Sequence, residues 1–147
     1  RQPRDLGPSI QTHYGPQGFD NILSRCTAHI CILPLTAQTE GLFSADVFAA
    51  MPAGSYFING GRGRQVQEDD LLNAVRSGQL AGAALDVFVE EPLPEAHPFW
   101  SEPRISIWPH VAAQTNPDTA ADQVAQAISA VLAGRQPGHI VDQNRGY

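Results

Sequence analysis

Short apolar runs alternate along this chain with longer stretches that are apolar on one side only. Four runs of four to eight residues carry few charged side chains, which is typical of buried strands. They lie at residues 29–33, 55–59, 81–88 and 105–108. A more mixed segment at residues 10–14 predicts a fifth strand.

Apolar residues at helical spacing predict helices between these strands. The predicted helices cover residues 19–25, 45–50, 69–76 and 118–132. Ser44 is a candidate N-cap of the second, and Gly78 and Gly134 stand where the third and fourth would end. Short strands that alternate with helices indicate a parallel sheet of βαβ units, so the predicted fold class is α/β with flanking helices.

The overall composition narrows the classes of function. The chain has 147 residues, enough for one domain with its own core, and 42% of them are hydrophobic. Its net charge of −6 argues against a nucleic-acid partner, because phosphate binding needs clustered basic side chains. No apolar run approaches the roughly 20 residues of a membrane span, and no secretory signal is present, so we expect a cytoplasmic protein without a membrane partner.

All 9 basic residues are Arg, which removes two classes of enzyme. A phosphate-loop NTPase and a Schiff-base enzyme each need a Lys, and the chain has none. The 2 cysteines, Cys26 and Cys31, fit neither a CxxC redox pair nor a zinc knuckle. We therefore expect reduced thiols and no metal site, with Cys31 packed in the core.

Three of the predicted strands are followed by residues suited to catalysis. Arg62, Glu91 and His110 come after the second, third and fourth apolar runs in turn. Because the carboxyl ends of parallel strands meet at one edge of a sheet, we expect these side chains to come together there. A guanidinium can hold a carboxylate, an imidazole can move a proton, and a carboxylate can raise the proton affinity of that imidazole. Each residue alone is better explained as a surface Arg, a solvated Glu or a capping His, but the ordered set indicates a site.

Four motifs taken together resemble one protein family. They are Leu33-Pro34-Leu35-Thr36 followed by Thr39, Asn59-Gly60-Gly61-Arg62-Gly63, Leu85-Asp86-Val87-Phe88-Val89-Glu90-Glu91-Pro92, and Pro109-His110. With these motifs the chain resembles the D-isomer-specific 2-hydroxyacid dehydrogenases over essentially its whole length. The separations of 29 residues from Arg62 to Glu91 and 19 from Glu91 to His110 are similar to those in the family.

The resemblance implies a reaction and a role for each of the three residues. Small 2-oxo acids would be reduced to 2-hydroxy acids by hydride from a nicotinamide dinucleotide. His110 would donate a proton to the substrate carbonyl oxygen, Glu91 would keep His110 protonated and oriented, and Arg62 would bind the substrate carboxylate. The stretch 110–113 and the terminal residues 145–147 are similar to a subgroup that reduces glyoxylate and hydroxypyruvate.

The resemblance also implies a cofactor site. The backbone at Leu33 and Pro34 would pass beside the dinucleotide. Gly60 and Gly61 would let the chain approach the nicotinamide ribose and amide closely. Asp86 would bond the carboxamide, or would otherwise cap a helix or turn.

The same resemblance favours NADP over NAD. Arg1 and Arg4 fit a segment that meets the adenosine 2′-phosphate in the subgroup, although two solvated terminal arginines are the alternative. The complete implied cofactor-binding set is Arg1, Arg4, Leu33, Pro34, Thr39, Gly60, Gly61, Arg62, Asp86 and His110.

No Gly-x-Gly-x-x-Gly fingerprint occurs in the sequence. In the family this loop follows the first strand of the cofactor domain, so we expect a C-terminal part that begins after the second strand. The predicted fold is thus an incomplete, Rossmann-like dinucleotide-binding sheet that lacks two strands and the Gly-rich loop. Residues 1–115 would be the C-terminal portion of the dinucleotide-binding domain, and residues 116–147 a helix and tail that return toward an absent substrate domain.

The strand order of such sheets, 3-2-1-4-5-6, gives this expectation a structural consequence. Residues 10–14 would be strand 3 and residues 29–33 strand 4, with a gap of about 14 Å between them at ~4.8 Å per strand. Unpaired buried edges are unfavourable. We therefore expect either that residues 1–25 depart from the family arrangement or that another segment fills the gap.

The last predicted helix would also lack its partner. Its apolar stripe consists of Val124, Ile128, Val131 and Leu132. A homodimer formed through this surface is expected.

Two other functions remain open on the sequence. A dinucleotide-sensing module, like the co-repressors that share this fold, can retain all three residues. An inactive fragment is the second, because half of the cofactor site would be missing. Trp108 either narrows the pocket beside His110 or packs in the core. The remaining histidines are predicted to be structural: His13, His29, His97 and His139.

Overall fold

The computed structural model describes residue 7, residues 9–138 and residues 140–142. Its helices are α1 Gly15–Arg25, α2 Ala45–Ala49, α3 Glu68–Ser77 and α4 Pro117–Leu132. Its strands are β1 Ala28–Cys31, β2 Ser55–Asn59, β3 Leu80–Leu85 and β4 Ile105–Ile107. Short 3-10 turns lie at Gly63–Gln65 and Pro98–Ser101. The predicted alternation of strands and helices is confirmed.

The strands form one parallel sheet in the order β1-β2-β3-β4. Ile30 lies opposite Ile58, Ile58 opposite Ala84, and Ala84 opposite Ser106. Parallel neighbours require crossover connections, so every strand ends at the same edge of the sheet. The loops that follow the four strands therefore meet there.

The core lies on one face of the sheet, where residues of α1, α2 and α3 pack against the strands. Phe57 of β2 is fully buried, and its ring centroid lies 4.7 Å from that of Phe43 and 5.4 Å from that of Phe48. Leu71 and Val75, one turn apart in α3, are fully buried as well. Burying a side chain of this size stabilises the fold by about 1.5–3 kcal/mol, so this cluster holds β2 and α3 together.

The opposite face of the sheet is uncovered among the described residues. Ile30 and Tyr56 lie on this face, and Ile30 is 68% exposed. Helix α4 buries none of its residues, and Leu132 is 83% exposed. Within the part of the chain that the structure describes, the apolar stripe of α4 lacks a partner, as expected from the sequence.

The predicted strand at residues 10–14 is wrong. These residues form no strand, Ile10 is more than half exposed, and β1 stands at the edge of the sheet. A strand is stabilised by its ladder of hydrogen bonds, and this segment pairs with none of the four strands. Residues 10–14 thus form no strand in the described part of the chain, and the two outcomes expected for residues 1–25 stay predictions.

Other element boundaries differ from the predictions for local reasons. Strand β3 ends at Leu85, short of the predicted residue 88, because the chain turns at Asp86. Ser44 stands at the N-cap of α2, but its side chain does not cap the helix; the first N–H of α2 donates to Asp70 Oδ2 at 2.9 Å. Helix α1 begins at Gly15, ahead of the predicted residue 19. The remaining bounds agree with the predictions to within about two residues.

Candidate active site

The loops after β2, β3 and β4 carry Arg62, Glu91 and His110 to the carboxyl edge of the sheet. Two of the three side chains meet, because His110 Nδ1 lies 2.8 Å from Glu91 Oε2. The other carboxylate oxygen, Glu91 Oε1, accepts a hydrogen bond from the N–H of Phe88 at 2.9 Å. Both oxygens of Glu91 are held, so its carboxylate faces the imidazole in a fixed orientation.

The Glu91 carboxyl favours its charged form. Burial acts to raise its pKa, but the hydrogen bonds from His110 and from the Phe88 N–H, together with the charge of His110, hold the pKa below its usual range. A carboxylate that stays ionised keeps a proton on Nδ1 of His110. The tautomer of the imidazole is thereby fixed, and Nε2 is directed away from Glu91.

His110 has a left-handed backbone with φ of 54°, which is uncommon for a residue that has a side chain. Such a conformation costs about 1–3 kcal/mol and persists where neighbours enforce it. Asp86 does so, because its Oδ1 accepts from the Val111 N–H at 2.8 Å and its Oδ2 from the Ala112 N–H at 2.9 Å. Asp86 is therefore a turn cap, the alternative considered from the sequence, and its bond to a carboxamide stays a prediction.

An open cavity of about 420 Å³ lies beside the pair of Glu91 and His110. Its walls are mainly apolar and include Leu93, Trp100 and Trp108. Cavities of roughly this volume hold small organic ligands.

A second cavity of about 340 Å³ lies at the carboxyl ends of β2 and β3. It is lined by Gly60 and Asp86 after those strands and by Val111 and Ala112 after β4. Trp108 lines both cavities, so its indole stands between them. Its side chain is more than half exposed, so of the two alternatives drawn from the sequence the structure supports the cavity wall, not the core.

The two adjacent glycines after β2 have different surroundings. A Cβ at Gly60 would make ordinary van der Waals contact with Ala112 and Ile32 at 4.0 Å, and Gly60 lines the second cavity. A Cβ at Gly61 would collide with Gln65 Oε1 and lie 3.0 Å from the Leu33 carbonyl oxygen. Gly60 fits the predicted close approach of a ligand, whereas Gly61 is small because its own chain packs against it.

Arg62 is exposed and has an extended backbone, with φ of −141°. Its N–H donates to Gln65 Oε1 at 2.8 Å, and its Nη1 donates to the Gly61 carbonyl oxygen at 2.7 Å. These hydrogen bonds stay within its own loop. The structure thus brings Glu91 and His110 into contact and places Arg62 at the same edge of the sheet without joining it to them.

The segment at Leu33 and Pro34 continues from β1 at this edge. Thr39 Oγ1 donates to the Pro34 carbonyl oxygen at 2.7 Å and accepts from the Thr36 N–H at 2.8 Å. The amide Nε2 of Gln65 donates to the carbonyl oxygens of Leu33 and Pro34, at 2.9 and 3.2 Å. Gln65 is fully buried, and sequence reasoning missed it, because a Gln in a polar turn gives no signal of burial.

Two of the other histidines are held in the fold. His97 Nε2 lies 3.5 Å from Glu68 Oε2, and its Nδ1 accepts from the Phe99 N–H at 3.3 Å, which fits the predicted structural role. His29 is buried, and neither of its ring nitrogens has a hydrogen-bond partner within the described part of the chain. Arg1, Arg4, His139 and the terminal residues 145–147, all used in the sequence analysis, lie outside the described residues.

Both cysteines, Cys26 and Cys31, are free thiols, and Cys31 is buried as predicted. Burial raises the pKa of the Cys31 thiol. The described residues contain no group of three or more His, Cys, Asp or Glu side chains that could hold a metal ion. None of the helices described is long and apolar enough to cross a membrane.

Parallel α/β sheets bind their ligands at the carboxyl edge of the strands, where the His–Glu pair and both cavities lie here. The fold and the site together are those of a dinucleotide-binding α/β domain. The sequence matches, over residues 4–112, the family described as D-isomer specific 2-hydroxyacid dehydrogenase, NAD binding domain. The chain belongs to this family, which confirms the resemblance carried by the motifs.

Named relatives fall in the subgroup indicated by the sequence. A glyoxylate/hydroxypyruvate reductase A from Yersinia enterocolitica is 52% identical over 147 residues, which is 100% of this chain and 47% of the relative. A glyoxylate/hydroxypyruvate reductase A from Serratia proteamaculans is 45% identical over the same 147 residues, again 47% of its length. The chain spans about half the length of the curated relatives it matches and corresponds to their C-terminal part.

Solved structures share the fold. A D-isomer specific 2-hydroxyacid dehydrogenase from Xanthobacter autotrophicus Py2, in complex with NADPH and MES, has a TM-score of 0.94 at 38% identity and covers 100% of this chain and 60% of that one. An NADPH-dependent glyoxylate/hydroxypyruvate reductase from Sinorhizobium meliloti, in complex with NADP and sulfate, has a TM-score of 0.85 at 37% identity and covers 91% of this chain and 44% of that one.

Proposed function

We propose that the protein containing this chain reduces small 2-oxo acids, such as glyoxylate and hydroxypyruvate, to 2-hydroxy acids with NADPH. The observation that carries the proposal is the distance of 2.8 Å between His110 Nδ1 and Glu91 Oε2, beside a cavity at the carboxyl edge of the sheet. An acid–base pair at this place supports proton transfer to a bound carbonyl group, in a chain that belongs to the 2-hydroxyacid dehydrogenase family.

His110 delivers the proton. Its Nδ1 is bonded to Glu91, so Nε2 is the nitrogen that approaches the carbonyl oxygen of the substrate. The carboxylate of Glu91 accepts the hydrogen bond from Nδ1 of His110 and so holds the ring in place. As the carbonyl oxygen gains negative charge, the N–H on Nε2 stabilises that charge and then transfers its proton.

Arg62 binds the substrate carboxylate. Two parallel N–H groups of a guanidinium can hold both oxygens of a carboxylate. A 2-oxo acid carries its carboxylate and its ketone on adjacent carbons, so one cation and one acid at the same edge can hold both groups. The exposure of Arg62 beyond the end of β2 supports this role.

The nicotinamide end of a dinucleotide occupies the second cavity in this proposal. Gly60 lines that cavity, which lies at strand ends where such folds bind dinucleotides. When bound, this group supplies the hydride. Gly60 borders its nicotinamide side, Gly61 follows Gly60 in the same loop, and Asp86, which holds the turn at residues 111–112, lines the same cavity.

The remaining cofactor contacts come from two segments. Leu33, Pro34 and Thr39 form a loop braced by hydrogen bonds at the carboxyl edge, which suits a surface along which a dinucleotide lies. Arg1 and Arg4 are the proposed contacts of the adenosine 2′-phosphate. NADPH is preferred in the proposal because the relatives from X. autotrophicus and S. meliloti are crystallised with NADPH and NADP.

The proposed organisation has two parts. Residues 1–115 belong to the C-terminal portion of the dinucleotide-binding domain, and residues 116–147 are a helix and tail that return toward the substrate domain. Support comes from α4, which buries none of its residues against the sheet. A homodimer is proposed as the assembly that covers its apolar stripe.

Oxidation of NADPH and NADH in the presence of glyoxylate tests the proposed reaction. The assay compares this chain with a protein extended at the N-terminus to the length of the relatives, because the chain spans 47% of them. We expect turnover in the extended protein, with NADPH preferred. Absence of turnover in both, with NADPH binding retained, would indicate a dinucleotide-sensing module. Absence of both turnover and binding would indicate an inactive fragment.

A further inference from the structure

One fully buried polar side chain, Gln65, connects the two halves of the proposed site. Gln65 ends the 3-10 turn that follows Arg62 at the carboxyl edge of the sheet. Its side chain does not face solvent or the proposed ligands. It lies instead between the loop that carries Arg62 and the segment that follows β1.

The amide of Gln65 uses its full hydrogen-bonding capacity. Oε1 accepts from the Arg62 N–H at 2.8 Å and from Cys31 Sγ at 3.3 Å. Nε2 donates to the carbonyl oxygens of Leu33 at 2.9 Å and Pro34 at 3.2 Å. An amide has two acceptor sites and two donor hydrogens, so every one is matched.

The surroundings leave this side chain little freedom. A Cβ at Gly61 would collide with Gln65 Oε1, so the glycine makes room for the amide. On the other side of the turn, a Cβ at Gly63 would collide with the backbone of Phe88, whose N–H donates to Glu91. The loop of Arg62 is therefore fixed on one side by Gln65 and on the other by the segment that leads to the Glu91–His110 pair.

We propose that Gln65 is a positioning residue that holds the Arg62 backbone in register with the cofactor-side segment at Leu33 and Pro34. The proposal rests on the proposed function for the roles of Arg62 and of that segment. Gln65 touches neither substrate nor cofactor and acts through the two loops that it joins. The segment proposed to bind the dinucleotide and the loop proposed to bind the substrate carboxylate are thus connected through Gln65.

The chemistry of the connection requires an amide. A Leu at position 65 would leave the Arg62 N–H without its acceptor and the Leu33 and Pro34 carbonyl oxygens without their donor. A Glu would place an acceptor against two carbonyl oxygens. A buried backbone N–H or C=O group without a hydrogen-bond partner is unfavourable, so the backbone shifts to restore a hydrogen bond. Either change would therefore move both loops.

Gln79 offers a matched control. Its Nε2 donates to the carbonyl oxygens of Phe48 at 3.0 Å and Met51 at 2.8 Å, so it also joins two segments through a side-chain amide. It precedes β3 and therefore lies at the amino edge of the sheet, away from the proposed site. Gln79→Leu removes the same kind of hydrogen bond without touching the loop of Arg62.

The first measurement does not depend on activity. Amide hydrogen exchange of Arg62 should be protected in the wild-type chain and in Gln79→Leu, and faster by about 10-fold or more in Gln65→Leu. If Gln65→Leu fails to fold, Gln65→Asn gives the same readout, because it keeps a buried amide that is too short to reach both loops. Unchanged protection of Arg62 in the variant that folds would overturn the proposal.

The second measurement uses the protein extended to the length of its relatives. Gln65→Leu should raise KM for both glyoxylate and NADPH and lower kcat/KM by about 100-fold, the scale expected for a misplaced binding group. Gln79→Leu should lower Tm while leaving both KM values unchanged. Equal kinetic losses in Gln65→Leu and Gln79→Leu would show that Gln65 has a structural role only. If the wild-type protein reduces no 2-oxo acid, the proposed function is wrong. The hydrogen-exchange measurement still tests whether Gln65 holds the Arg62 backbone.

Discussion

The Glu91–His110 pair shows how separate residues fix the position and the orientation of one imidazole. Asp86 holds the backbone of residues 111 and 112 and so keeps His110 in its left-handed conformation. Glu91 holds the ring through Nδ1. The sequence named all three residues, but it offered cofactor binding and turn capping as alternatives for Asp86. The turn cap could be recognised only once β3 and β4 were neighbours.

Replacing His110 by Gln should abolish turnover and spare cofactor binding. General acid catalysis contributes about 10²–10⁴-fold, so a fall of that size in kcat is expected for the extended protein. NADPH affinity, measured by fluorescence titration, should stay near the wild-type value. His13→Gln is the control, because His13 lines a pocket beside α1 and lines neither of the two cavities of the proposed site, so it should leave kcat unchanged. Turnover that survives in His110→Gln would remove it as the proton donor.

Acidification should disrupt the Glu91–His110 pair only at pH values below the ordinary pKa of a Glu carboxyl. The folded state lowers the pKa of Glu91 from 4.5, so the paired form persists above that value and is lost as the pH falls through the lowered pKa. The ring nitrogen signals of His110, followed by NMR from neutral to acid pH in this chain, should show this transition, and Glu91→Gln should lack it. A carboxyl transition at or above pH 4.5 would contradict the geometry.

At the scale of elements, most of the fold follows from local pattern. The runs at 29–33, 55–59, 81–88 and 105–108 all contain strands, because their apolar side chains need burial and helices flank them. The segment at 10–14 has a more mixed pattern that also predicts a strand, and it forms none. The local sequence pattern allows a segment to form a strand. The strand forms only where a neighbouring strand pairs with it.

Glu102 links α3 to the start of β4, and this link should depend on pH. Its Oε1 accepts from Arg104 Nε at 2.8 Å, and its Oε2 lies 3.8 Å from Arg76 Nε in the last turn of α3. The hydrogen bond from Arg104 holds the pKa of Glu102 below its usual range, although burial opposes it. Because the folded pKa lies below the unfolded one, Glu102 stabilises the fold above the ordinary carboxyl range and loses this effect as the pH falls through the folded pKa.

Glu102→Gln should therefore lower Tm at neutral pH, and the difference from wild type should shrink as the solution is made acidic. Thermal unfolding of this chain across a pH series measures the effect. Glu95→Gln, on the exposed connection between β3 and β4, is the matched control and should change Tm little at any pH. A constant difference between Glu102→Gln and wild type across the series would show that the ion pairs do not stabilise the fold.

At the scale of the whole molecule, the described residues form a sheet with one face packed against helices and one exposed face. The packed face holds the aromatic core, while the other face of the sheet and the apolar stripe of α4 are exposed among the described residues. Exposed apolar area of this kind favours association. A homodimer through α4 is the assembly that we propose to cover the stripe.

Ile128→Asp should convert the dimer to a monomer. The substitution places a charge in the centre of the stripe, where Ile128 is 54% exposed. Sedimentation velocity of this chain, over a range of concentrations, measures the state. Gln126→Asp adds the same charge to α4 outside the stripe and should leave the dimer intact. A wild-type chain that sediments as a monomer at all concentrations would rule out the assembly.

The sequence by itself determined the α/β class, the order of the elements and the positions of Arg62, Glu91 and His110 after the second, third and fourth strands. These follow from hydrophobic periodicity and from Gly and Pro at strand ends, which act over a few residues. Only the tertiary structure decided which residues meet. Glu91 and His110 are 19 residues apart, Asp86 and Val111 are 25 apart, and Gln65 reaches Leu33 across 32. Contacts at such separations depend on how the strands pair, and no local pattern specifies that.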